Sequence, residues 1–70
     1  MESTRQFSAD KLSQWRVLRE MSLTALAAKV SRNRQTIYNW ENGRTRPGAN
    51  ELAALAAALR CEIDELYEAA

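Results

Sequence analysis

An all-α fold, a compact bundle of five helices, is what the sequence predicts, on three observations. Alanine, leucine and arginine dominate the composition. Both glycines and the only proline fall between Gly43 and Gly48, so helix-compatible residues fill nearly all the rest. β-branched residues are few and no run of them alternates with polar ones, so no strand is expected.

The five segments follow from start and stop signals. The first runs from about Ala9 to Glu20, with Ser8 as N-cap and Leu12, Trp15 and Arg19 at helical spacing. The second follows Ser22, whose hydroxyl can cap it, through Ala25, Leu26, Ala27 and Val30; its alanines permit close helix approach. The third starts after Asn33 and continues to Asn42, where Gly43 can take the left-handed position that ends a helix. A loop through Arg44 and Arg46 leads to a fourth, about Ala49 to Leu59, with Leu52, Leu55, Ala56 and Leu59 on one face. A short fifth helix, about Ile63 to Tyr67, would lay Ile63 and Leu66 back on the bundle. Met1 to Arg5 is expected to be disordered, which leaves one domain over 1–70 with an ordered core of about 8–67.

Composition excludes most chemistry. The 70 residues, 46% hydrophobic and 27% charged, fit a single domain, since a chain this short buries only about 60% of its unfolded surface. There is no histidine and one cysteine, which removes a histidine general base, a multi-ligand zinc site and an internal disulfide. No enzyme activity, no cofactor, no metal and no small-molecule substrate are expected. Cys61 reads as a small packed thiol. The acidic group Glu62, Asp64, Glu65 and Glu68 lacks the glycine-containing loop of a calcium site and reads as a solvated face or dimer rim. The apolar run Leu52 to Leu59 is far short of the roughly 20 residues that span a bilayer, and the N-terminus lacks the apolar stretch of a signal peptide. A cytoplasmic protein with no membrane partner is the expectation.

Charge is segregated along the chain. Residues 29–46 carry Lys29, Arg32, Arg34, Arg44 and Arg46 against Glu41 alone, whereas residues 47–70 carry Arg60 against Glu51, Glu62, Asp64, Glu65 and Glu68. One face suits a polyanion, and the other suits solvent or a protein.

The third helix sharpens that reading. At about 100° per residue, Ile37 and Trp40 share one side, while Arg34, Gln35, Tyr38, Asn39 and Asn42 share the other within an arc of roughly 140°. Trp15 and Trp40 fall on core-facing stripes rather than on a stacking platform. Arginine can bond guanine bidentately, and Gln or Asn adenine, through groups that the DNA major groove displays distinctively. Arg34 and Gln35 occupy the first turn, the part of an inserted helix nearest the bases. Ser22 and Thr24, with the free N–H groups of the second helix, could accept a phosphate, and Arg44 and Arg46 could reach phosphates or an adjacent minor groove. Asn42, at the far end of the face, is assigned to the DNA backbone. Tyr38 is open between a thymine methyl, a phosphate and a partner subunit.

Read together, these residues resemble the Cro- and repressor-type helix-turn-helix domains of the XRE family of transcription regulators, the lambda-repressor-like fold. The resemblance runs without a gap from Leu12 to Leu66. It is carried by Leu12, Trp15-Arg16 and Arg19-Glu20-Met21-Ser22, then Leu26 to Val30, the segment Asn33 to Gly43, Pro47, Leu52 to Leu59, and Ile63 to Leu66. It implies five helices, major-groove insertion of the third, and a homodimer on a two-fold DNA operator. It further implies base contacts from Arg34, Gln35, Thr36, Tyr38 and Asn39, backbone contacts from Ser22 and Arg44, and a structural pair of Arg16 with Glu41. Four positions depart from the family pattern. Ser31 replaces a turn glycine and would have to accept a left-handed conformation at roughly 1 kcal/mol. Arg32 replaces an apolar residue and is expected to snorkel out towards the DNA backbone. Leu23 stands where a glutamine is common, so one phosphate or base contact is missing, and Arg60 stands where the fourth helix commonly ends in glycine.

The sequence therefore predicts a sequence-specific regulator of transcription that binds double-stranded DNA. It would act as a repressor by occupying an operator, because 70 residues leave no room for an effector domain; activation by touching RNA polymerase is the variant reading. The alternative from another class is a small helical protein-interaction module, antitoxin-like or an adaptor subunit.

Overall fold

The computed structural model describes residues 4–69. Four α-helices, α1 (Ala9–Leu18), α2 (Leu23–Lys29), α3 (Arg34–Glu41) and α4 (Ala49–Leu59), are followed by a single 3-10 turn, Ile63–Leu66. Two short strands, β1 (Arg5–Phe7) and β2 (Tyr67–Ala69), flank the whole. They pair antiparallel with Arg5 opposite Ala69, Gln6 opposite Glu68 and Phe7 opposite Tyr67.

This architecture corrects the all-α, five-helix expectation twice. The ribbon escapes sequence reading because its strands have three residues each, contain no β-branched residue, and find their partners 60 or more positions away. What holds it is distributed: the Arg5 guanidinium lies over the Tyr67 ring at 5.7 Å, and Lys11 Nζ donates to the Tyr67 carbonyl at 2.8 Å. Residues 1–3 of the stretch expected to be disordered lie outside the described residues, and Arg5 opens β1. The expected fifth helix contracts to four residues because the chain must leave it in extended form at Tyr67 to meet β1, and one 3-10 turn suits so short a piece. Leu66 is fully buried there, but Ile63 is 41% exposed and does not dock as expected.

Local chemistry starts each helix. Ser8 is itself buried; its N–H donates to the Leu66 carbonyl at 2.8 Å, and its hydroxyl oxygen accepts from the Lys11 N–H at 3.1 Å. One serine thus caps α1 and ties it to the end of the chain. Ser22 caps α2 by accepting from the Ala25 N–H, and the Asn33 side-chain oxygen caps α3 by accepting from the Thr36 N–H at 2.8 Å. At α4 the capping group is Glu51, whose Oε1 accepts from the Gly48 N–H at 2.9 Å.

Left-handed residues close the turns. Gly43 takes φ +73°, as its lack of a Cβ allows, and Glu20, Ser31 and Arg60 take φ between +55° and +58°. Arg60 supplies the left-handed end of α4 that a glycine usually provides. The core gathers Leu12, Leu26, Ile37, Leu55, Leu59 and Leu66, all without exposed surface, around Trp40. Trp15 packs at its edge, half-buried, with its indole N–H donating to the Glu65 carbonyl at 3.3 Å. No helix among the described residues is long and apolar enough to cross a membrane.

Candidate nucleic-acid interface

Anchoring decides which side of α3 is available. Ile37 and Trp40 are sunk in the core against α2 and α1, so the helix cannot roll, and its opposite side is turned outward. Arg34, Gln35, Tyr38 and Asn42 are exposed there; Thr36 and Asn39 are half-buried at its borders. The outer face read from the sequence is therefore assembled, with Arg34 and Gln35 in its first turn and Tyr38, Asn39 and Asn42 beyond it.

The individual side chains are in different states. Among the described residues, Arg34 and Tyr38 have no side-chain hydrogen bond, so their polar groups are free for a ligand. Gln35 Nε2 donates to Asn39 Oδ1 at 3.1 Å, linking two of the candidate readers. Thr36 is drawn inward, its hydroxyl donating to the same Asn33 oxygen that caps the helix. Asn42 Nδ2 donates to the Tyr38 carbonyl at 2.8 Å and closes the last turn.

Around this helix lie the groups assigned to phosphates. Ser22 and Thr24 are exposed at the N-terminus of α2; the Ser22 oxygen serves the cap while its own hydroxyl proton is free to donate. Arg44 and Arg46 are exposed on the loop after α3, without side-chain partners among the described residues. Arg32 sits differently. Its Nη2 lies 2.7 Å from Glu51 Oε2 and its Nη1 donates to the Ser31 carbonyl, so the guanidinium is held across the turn to the start of α4. That hydrogen bond, more than any other contact, holds the Glu51 carboxyl below the usual carboxylate range, with the backbone N–H groups at the start of α4 adding to it. Sequence reading missed this pair, although a glutamate three residues after Gly48 is a capping-box spacing that could have placed Glu51 at the start of α4.

Behind the outer face, Arg16 and Glu41 form a bidentate pair, Nε to Oε2 at 2.6 Å and Nη2 to Oε1 at 3.1 Å. Arg16 Nη1 also donates to the Met21 carbonyl at 2.9 Å, so one guanidinium fixes α1, the following turn and the end of α3 together. The acidic residues Asp64 and Glu65 are carried on the 3-10 turn, which packs on α1 and α4.

A family model described as helix-turn-helix matches residues 12–66. The chain belongs to the XRE-type helix-turn-helix family. Members of this family are DNA-binding transcription regulators. Among solved structures, this helix-turn-helix domain is similar to the P22 c2 repressor crystallised with a synthetic operator. The two share 30% identity and a TM-score of 0.81, over 87% of this chain and 92% of that one. It is also similar to the restriction-modification controller protein C.AhdI from Aeromonas hydrophila, at 26% identity and a TM-score of 0.79, over 83% and 88% of the two chains. FeII HppE crystallised with its substrate matches at 28% identity and a TM-score of 0.80, over 86% of this chain but only 35% of its own, so the likeness is to one part of that chain. A search of curated proteins found no match.

Proposed function

We propose that this domain is a repressor that recognises double-stranded DNA by inserting the N-terminal half of α3 into the major groove, as a homodimer on a two-fold operator in the cytoplasm. The observation that carries the reading is the state of α3: a helix locked by Ile37 and Trp40 with Arg34, Gln35 and Tyr38 displayed on its far side. Such a helix offers donors and acceptors suited to base edges without first rearranging. Thr36 and Asn39 border that surface, Ser22, Thr24 and Asn42 approach the sugar-phosphate backbone, and Arg44 and Arg46 supply exposed positive charge to phosphates. Arg32 joins them at the rim while shared with Glu51. The likeness to a repressor crystallised on an operator supports the assignment.

Selection of bound duplexes from a random pool at defined salt tests it. A two-fold motif is the expected result, and its spacing reports the dimer; no enrichment would defeat the proposal. One observation favours the protein-interaction reading, namely that Val17 and Leu18 are each 62% exposed on the outer side of α1. Failure to enrich any duplex would bring that reading forward.

A further inference from the structure

Gln35 and Asn39 stand one helical turn apart on the outer side of α3, joined by the 3.1 Å bond from Gln35 Nε2 to Asn39 Oδ1. Among the described residues Gln35 has no other side-chain partner. A primary amide carries two N–H donors and a carbonyl oxygen that accepts. One N–H of Nε2 serves Asn39, which leaves the second N–H and the carbonyl oxygen of the same amide without a partner among the described residues. That pair complements adenine, which shows an acceptor at N7 and a donor at N6 in the major groove.

The bond also limits rotation. An untethered glutamine must freeze several torsions on binding, which weakens the contact and lets the amide turn over to suit another base. Asn39 has its oxygen already engaged and is half-buried at the border, a poor position from which to read a base itself. Arg34 and Tyr38, by contrast, have no such tether among the described residues.

Resting on the DNA-binding reading of α3, we infer that Asn39 is a positioning residue. It holds the Gln35 amide in the plane that pairs with adenine, and the operator carries an A·T pair at the position Gln35 meets.

The test is selection from a random duplex pool at one salt concentration, using the unaltered protein, Gln35→Ala, Asn39→Ala and Asn39→Asp. The unaltered protein should yield a motif with an adenine column that Gln35→Ala erases, a loss of preference of about 5- to 150-fold. Asn39→Ala should blur that same column several-fold and leave the others intact. Asn39→Asp retains the acceptor oxygen and should keep the column. Preference is a ratio within one variant, so a uniform affinity loss from the added charge cancels. Thermal melts accompany each selection, and Asn39→Asp decides the matter if Asn39→Ala does not fold. Loss of a different column in Asn39→Ala, or loss of the adenine column in Asn39→Asp, would make Asn39 a reader and overturn the inference. So would a Gln35-dependent column that prefers another base. A motif absent even for the unaltered protein would strike the DNA reading underneath instead, and the inference with it.

Discussion

Arg16 and Glu41 clasp each other through two parallel hydrogen bonds beneath the candidate DNA surface, at a place where their side chains are only 17% and 8% exposed. The geometry is the fork-to-carboxylate arrangement that arginine makes best, and lysine could not reproduce it while also reaching the Met21 carbonyl. The pair fixes where α3 ends relative to α1.

Breaking this pair from one side should be severe. Arg16→Ala or Glu41→Ala is expected to cost about 3–5 kcal/mol, because either leaves a mostly buried charge without its partner. A pair of apolar replacements of similar size, Arg16→Met with Glu41→Leu, should recover much of the loss. Urea denaturation of the three variants measures it; a double variant as unstable as the singles would show that the buried charge is not the cause.

Ser31 offers the opposite test. It holds φ +58° between α2 and α3, and Ser31→Gly should raise stability by roughly 1 kcal/mol by removing the left-handed penalty. For a domain of this size that is a rise of about 4–8 °C in melting temperature. An unchanged or lower Tm would mean that the glycine's extra freedom in the unfolded chain outweighs the relief.

Base and phosphate contacts should separate in their salt behaviour. Arg34→Ala is expected to lose about 1–3 kcal/mol at the preferred duplex and to relax its sequence preference locally. Arg44→Ala should instead weaken all duplexes alike and flatten the plot of log K against log salt, since a phosphate contact releases counterions without reading sequence. Titrations at several salt concentrations distinguish the two, and an unchanged slope would remove Arg44 from the contact surface.

The Arg32–Glu51 pair predicts a pH dependence. The Glu51 carboxyl is held below its ordinary value, so its contribution to stability is present above the usual glutamate pKa of 4.5 and is lost as pH falls through the lower folded value. Melting curves collected from neutral to acidic pH should show this decline, and in Glu51→Gln the part due to this residue should vanish. Identical curves for both proteins would rule the pair out as a contributor.

Most of what positions the candidate surface is legible in the residues themselves. Ser8, Ser22 and Asn33 announce helix starts because capping is local, and Ile37 with Trp40 declares the inner side of α3 because helical periodicity is local too. The ribbon was not legible, since its strands are recognised only by each other. Neither was the exposure of Ile63, which depends on how the chain leaves the 3-10 turn towards β1. At the site, the sequence supplies the candidates but not their engagements. That Arg32 is shared with Glu51, that Thr36 is spent on the cap, and that Gln35 leans on Asn39 are facts of three-dimensional proximity.

Pairing Arg5 with Ala69 gives the domain a mechanical character. Traction on the two strands from that end would load their hydrogen bonds singly, in the manner of a zipper, and the ribbon would yield before force reached the helices. Arg5 and Ala69 stand side by side, so the routes out of the two strands begin as neighbours.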